Sequence, residues 1–345
     1  MGTTARIATV CQGRHFFSSV ERNREHVLSL LDLALTQKPD LVCLPETFTT
    51  VSLPGDALSE LAEPVPGPTT DAVARRARAF GSYVICPIKT ARQGVYLNSA
   101  VVVDRGGEIL GIYDKVHPVT TSGDYTLFEG GIAPGPIDPP VFDLDFGRIG
   151  IQICFDAGFP ETWQVLANKG ARVVFWPSAY NGGFPLQAYA YLHHFYVVSS
   201  VRTDKSRFVD PLGAILDETN DLTSVICREI NTDYVVCHYD FNHAIPDRVM
   251  ACYPGQVEIR TDRDSAHFLL EPKAGGPPVG GPTIAQLQAE FGFESTFTYH
   301  ERHRKAFAAS AAGTGLPDLK KTVGCSGNRP PDQNQVHLRS HINNL

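Results

Sequence analysis

Between about residues 5 and 240, short apolar runs of strand length alternate with stretches whose apolar residues recur at helical spacing. No other feature of the chain narrows its fold as much. Ala5 to Val10 reads as a strand, and a helix is expected from about Ser19 to Gln37, with Val27, Leu30, Leu31 and Ala34 on one face. Ser18 and Glu21 have capping-box spacing at its start. Asp40 to Leu44 is a second strand, stopped by Pro45-Glu46. A helix from Thr69 to Phe80 is closed by Gly81, and Ser82 to Ile88 is the next strand. Tyr96–Val103 and Glu108–Tyr113 flank Asp104-Arg-Gly-Gly107, a hairpin signal.

The rhythm repeats in the second half. Strands are expected over Arg148–Ile153, Ala171–Trp176, Val197–Val201, Arg207–Val209, Ala214–Asp217, Val225–Ile230 and Tyr234–Tyr239. Helices run from Pro160 to near Gly170 and from Phe184 to Phe195. Two β-rich halves with interleaved helices predict an α/β fold of two mixed sheets packed face to face under outer helices, rather than one doubly wound sheet. After about Leu270 the pattern changes to a Pro/Gly-rich stretch (272–282), a short helix over Thr283–Phe291 and a polar tail from Gly324. The expected organisation is a domain over residues 1–270 and an extension, partly flexible, over 271–345.

Composition excludes several classes of function. Hydrophobic residues make up 43% and charged residues 19% of the 345, enough for a sizeable core. A net charge of −7 argues against nucleic acid or an anionic membrane as partner. The eight cysteines are scattered with no Cys-x-x-Cys pair, as in a protein with reduced thiols. With no apolar leader after Met1 and no run of membrane-spanning length, the expected location is cytoplasmic. His300 and His303 lack a third ligand, so no metal and no cofactor is expected.

Three segments place a reactive residue at the end of an apolar strand, where α/β proteins gather their ligands. They are Leu41-Val-Cys-Leu-Pro-Glu46, Gly111-Ile-Tyr-Asp-Lys115 and Gly150-Ile-Gln-Ile-Cys154-Phe-Asp-Ala157. Together they resemble the nitrilase, or carbon–nitrogen hydrolase, superfamily, whose catalytic set is Glu, Lys and Cys in that order. Tyr96-Leu-Asn-Ser-Ala100, Trp176-Pro-Ser-Ala-Tyr180 and Val209-Asp-Pro-Leu-Gly213 resemble secondary landmarks of the same family. The resemblance implies a four-layer αββα sandwich, assembled as a homodimer or larger homo-oligomer, and a site built on Glu46, Lys115 and Cys154. It also implies a second glutamate beside the lysine, which Phe128-Glu129-Gly-Gly131 supplies as Glu129.

The residues suit that chemistry. A helix N-terminus after Cys154 and a nearby lysine would favour the thiolate. Glu46 is the candidate base, and Lys115 with the Phe155 N–H the candidate oxyanion holder. Asp156 is expected beside the nucleophile, as a brace or at the substrate, while Tyr180 and Asn181 resemble the family's substrate-loop positions. Relatives that bind a substrate carboxylate often carry an arginine just after Cys-x-Asp. Here Ala157-Gly158 follow, leaving Arg202 as the alternative clamp. The expected substrate is a small linear amide or N-carbamoyl compound. Cys154-Phe-Asp-Ala157 is closer to amide-hydrolysing relatives than to the Cys-Trp-Glu-Asn of nitrile-hydrolysing ones. A nitrilase, an acyltransferase and a non-catalytic binding protein on the same fold are the competing readings.

Overall fold

The computed structural model describes residues 4–53, 58–273 and 281–314. The chain divides into two compact units, Met1–Val236 and Cys237–Leu345.

The first unit begins with β1 (Thr4–Val10), α1 (Val20–Leu35), β2 (Leu41–Cys43), α2 (Leu58–Leu61), α3 (Pro68–Phe80), β3 (Tyr83–Arg92), β4 (Val95–Val103) and β5 (Ile109–Asp114). It continues with β6 (Val141–Leu144), β7 (Gly147–Ile151), α4 (Pro160–Asn168), β8 (Val173–Ser178), α5 (Phe184–His193), β9 (Tyr196–Val201), β10 (Arg207–Val209), β11 (Ile215–Glu218) and β12 (Val225–Asn231). Two six-stranded sheets result, ordered β12-β1-β2-β3-β4-β5 and β11-β10-β9-β8-β7-β6. Each is parallel at its centre and antiparallel towards its edges.

Every residue of β2, β8 and β9 is buried, so both faces of these central strands are covered. Alternation divides the work. Ala8, Val10, Val42 and Leu44 join Val27, Leu31, Val73 and Ala77 of α1 and α3 in one outer core. Val174, Trp176 and Val197 join Trp163, Leu166, Leu186 and Ala190 of α4 and α5 in the other. The inner faces meet directly: Thr9 Oγ1 donates to Ser199 O at 2.6 Å, and Ser200 Oγ to Val10 O and Cys43 O at 2.7 and 3.0 Å. This is the αββα sandwich that the strand pattern predicts.

Two local expectations need correction. The cap of α1 is Ser19, whose Oγ accepts from Arg22 N, and not Ser18. The start is moved by buried Asn23, which bonds the N–H and C=O of Phe17 and also reaches Thr49 O and Val51 O. The strand expected to stop at Ile88 instead continues to Arg92 and turns at Gln93-Gly94, both at positive φ (50° and 77°). The lengthened β3 pairs with β4 from Val84 to Arg92 and sets Lys89 opposite Asn98.

The second unit takes over within β13 (Val235–His238), one edge of a three-stranded sheet of order β13-β15-β14. It contains α6 (Ile245–Cys252), β14 (Val257–Asp262), β15 (His267–Pro272), α7 (Ile284–Phe291) and α8 (Thr296–Ala311). Thr283 caps the expected helix α7 by accepting from Gln286 N. Most of the Pro/Gly-rich stretch (274–280) and the whole polar tail (324–345) lie outside the described residues. Among the described residues no helix is long and apolar enough to cross a membrane.

Candidate active site

Glu46 lies three residues beyond β2, Lys115 directly after β5 and Cys154 three residues beyond β7, so three strand ends bring them together. Lys115 Nζ donates to Glu46 Oε1 at 3.0 Å and to Glu129 Oε1 at 2.5 Å. The Lys115 and Glu46 side chains are 1% and 3% exposed, an ion pair almost wholly removed from water. Such a pair is tolerable only if its remaining oxygens find donors. Asn98 Nδ2 supplies both carboxylates, at 2.9 Å to Glu46 Oε1 and 3.1 Å to Glu129 Oε2. Arg202 Nη2 closes the set on Glu46 Oε2 at 3.1 Å, and its Nε donates to the Glu46 carbonyl at 2.7 Å. The loop between β5 and β6 presents Glu129 with φ +41°, and the Val119 N–H also donates to its Oε1.

Cys154 opens a 3₁₀ turn over Cys154–Gly158 with φ +48°, a left-handed conformation that L residues rarely hold without support. The support is visible. Trp176 Nε1 donates to the carbonyl of Cys154, Trp163 Nε1 to that of Asp156 and Tyr189 Oη to that of Ala157. Asp156, fully buried, ties the turn to the strand that carries the lysine. Its Oδ2 accepts from Ile153 N and Tyr113 Oη, and its Oδ1 from His117 N with His117 Nδ1 at 2.9 Å. Tyr113 and His117 flank Lys115, so one carboxylate fixes nucleophile and ammonium relative to each other. Asp156→Asn sets an amide N–H₂ against donors. It is expected to cost about 2–4 kcal/mol in stability, read as a lower urea midpoint, and to depress kcat more than it raises KM. A D156N protein with wild-type midpoint and kcat would remove the bracing role.

As the second residue of a 3₁₀ turn, Phe155 has an N–H with no acceptor inside the turn. The Ala179 N–H and the Ser178 hydroxyl lie on the side of the sulfur and favour its anion. Even so, burial and the Glu46 charge outweigh Lys115 and push the thiol up to about 12. The motif alone suggests a resting thiolate; burial and the neighbouring Glu46 carboxylate favour the protonated thiol instead. Burial also pushes Glu46 up, but Lys115 and Arg202 overcome it and hold the carboxyl below the usual carboxylate range. Burial pulls Lys115 down, and the charges of Glu46 and Glu129 outweigh it and keep the ammonium charged. The site therefore rests as ionised carboxylate, ammonium and neutral thiol.

The residues expected at the substrate fare differently. Phe155 is 40% exposed and Tyr180 45%, and both belong to aromatic walls. Phe155 packs edge-on to Phe159, which stacks on His117, while Tyr180 stands edge-on to Trp176. Burial raises the Tyr180 hydroxyl above its ordinary value. Asn181 Oδ1 accepts from Gly183 N and shapes its own loop. Asp156 is fully buried, with its carboxylate engaged by Ile153, Tyr113 and His117. Arg202, the suggested carboxylate clamp, is engaged by Glu46 and Thr47 instead, because the end of β9 lies beside the end of β2.

Asn98 and Tyr113 are site residues to which the sequence reading gives no role. An asparagine inside the apolar run Val95–Val103 is the available signal, since a buried amide is costly unless bonded. Among the described residues no group of three or more His, Cys, Asp or Glu side chains is arranged to hold a metal ion. His303 Nδ1 bonds the Tyr299 carbonyl of its own helix.

A buried glutamate, lysine and cysteine thus gather at the strand ends of an αββα sandwich. Residues 7–236 match the carbon–nitrogen hydrolase family, and the chain belongs to it. The deaminated glutathione amidase of Synechocystis sp. (strain PCC 6803 / GT-S) is 29% identical over 240 residues, covering 62% of this chain and 88% of that protein. A nitrilase of Pyrococcus abyssi is 35% identical over 161 residues, covering 46% and 59%. The crystal structure of Saccharomyces cerevisiae Nit3, of the nitrilase superfamily, superposes with a TM-score of 0.59 at 21% identity, over 71% of this chain and 95% of that one.

Proposed function

We propose that this carbon–nitrogen hydrolase is an amidase that cleaves a small linear amide or N-carbamoyl compound through a thioester on Cys154. The observation that carries the reading is the buried Lys115 ammonium bonded to both Glu46 and Glu129 beside a thiol held at positive φ. Glu46 accepts the thiol proton as Sγ bonds to the amide carbon. With the thiol pushed up and Glu46 held down, this transfer is uphill on its own and proceeds together with C–S bond formation. The oxyanion is met by the Lys115 ammonium and the Phe155 N–H. The intermediate collapses by breaking C–N, and the Glu46 carboxylic acid gives its proton to the departing ammonia or amine. Water then gives a proton to Glu46 and attacks the thioester. The second tetrahedral intermediate expels the sulfur, which recovers a proton, and a carboxylic acid leaves. Glu129 holds Lys115 in place throughout.

The amide is favoured over the nitrile by Cys154-Phe-Asp-Ala157 and by the amidase of Synechocystis, which matches across most of its length. The Pyrococcus nitrilase matches a shorter segment. Ammonia release from matched amide and nitrile pairs is expected to favour the amide several-fold in each pair. Consistent preference for the nitrile would overturn the amidase reading while leaving the nucleophile intact.

A further inference from the structure

Asn98 Nδ2 bridges the two glutamates of the site, donating to Glu46 Oε1 at 2.9 Å and to Glu129 Oε2 at 3.1 Å. Ionised carboxylates only accept, so this amide cannot be turned over, and its other end is fixed as an acceptor. That end, Oδ1, is buried and meets no donor among the described residues. Lys89, the register partner of Asn98 across β3 and β4, makes no hydrogen bond to it. Asn98 is as deeply buried as Glu46 and Lys115, so Oδ1 stands at the depth where the reaction takes place. A buried carbonyl oxygen without a donor is costly and calls for an explanation.

The reaction itself brings such donors. An amide nitrogen about to leave has one lone pair, which must face the Glu46 acid to receive its proton. Its hydrogen then points elsewhere, and a buried N–H needs an acceptor of its own. Water attacking the thioester has the same need. One O–H faces Glu46, a lone pair faces the carbon, and the second O–H is left over. We propose that Asn98 is a catalytic residue whose Oδ1 accepts the spare hydrogen of the departing nitrogen and then that of the attacking water, turning each towards Glu46. No proton moves to Asn98; Glu46 carries out both transfers. The inference rests on the amidase reading. It favours amides over esters, whose leaving oxygen brings two lone pairs and no hydrogen.

The test compares butanamide with methyl butanoate in kcat/KM, which reads acylation. Loss of the Asn98 donors disturbs Glu46 for both compounds alike, so the ratio of amide to ester isolates the acceptor. Asn98→Ala is expected to lower that ratio about 5- to 50-fold, and an unchanged ratio overturns the proposal. Should this variant fail to fold, Asn98→Ser reads the same ratio, since its shorter hydroxyl serves the carboxylates and puts nothing where Oδ1 stood. Lys89→Met should keep the wild-type ratio; a fall like that of Asn98→Ala would make Lys89 the donor to Oδ1 and remove the proposal. A second measurement starts from the acyl group that p-nitrophenyl butanoate leaves on Cys154. It follows the partition of that group between water and methanol, whose single O–H is used up on Glu46. Asn98→Ala should lower the water-to-methanol ratio severalfold, and an unchanged partition counts against the acceptor. If the wild-type protein does not hydrolyse butanamide, the amidase reading fails, and the partition still decides Asn98.

Discussion

Replacing Cys154 by alanine is expected to abolish hydrolysis of every amide that the wild-type protein turns over, a loss of about 10⁵-fold or more. The protein should stay folded. Trp176, Trp163 and Tyr189 hold the turn through backbone carbonyls that the substitution leaves in place. Alanine meets the same φ of +48° as cysteine, so no new backbone strain arises. Only one sulfur atom is lost from the turn, and the shift in urea midpoint should correspond to about 1 kcal/mol. Turnover within tenfold of wild type by a verified C154A protein would remove Cys154 as nucleophile. A collapse of the fold would instead show that the sulfur itself holds the turn.

The second large effect is that of Glu46→Gln. A neutral amide can take no proton, so acylation and deacylation both fail, and the rate should fall by about 10²–10⁴-fold. Two further outcomes separate this loss from simple misfolding. Because the Glu46 charge raises the Cys154 thiol, removing it must move the thiol titration downward from about 12; the inactive variant has the more acidic sulfur. Iodoacetamide alkylation followed against pH reads this directly, and a midpoint that stayed or rose would contradict the placement of Glu46. The other outcome concerns stability. The carboxyl is held below the usual range in the folded state. Its contribution is therefore complete above its unfolded value, about 4.3, and is lost as pH falls through the lower folded value. The stability gap between wild type and E46Q should be widest near pH 7 and should narrow in acid. A gap independent of pH would mean that Glu46 is not ionised at rest.

Local sequence carried much of the outcome. Alternation of period two inside strands and near 3.6 inside helices records which faces are buried, so the two sheets and their covering helices follow from the order of residues. Glu46, Lys115 and Cys154 are legible for the same reason: each ends an apolar strand. The extension of β3 is hidden because Lys89, Arg92 and Gln93 interrupt the apolar run, although Gln93-Gly94 is the turn signal to follow.

Sequence by itself determined the layers, the family and the reactive trio. Tertiary structure alone decided their state. Arg202 lies 156 positions from Glu46 in the chain yet neutralises it, and Asp156 braces a lysine segment reached only through the opposite sheet. Burial and the Glu46 charge push the thiol up while Lys115 and Arg202 hold Glu46 down, because protonation depends on through-space charge and on access to water. Those quantities are set when the strand ends meet, and the spacing of residues along a chain does not encode them.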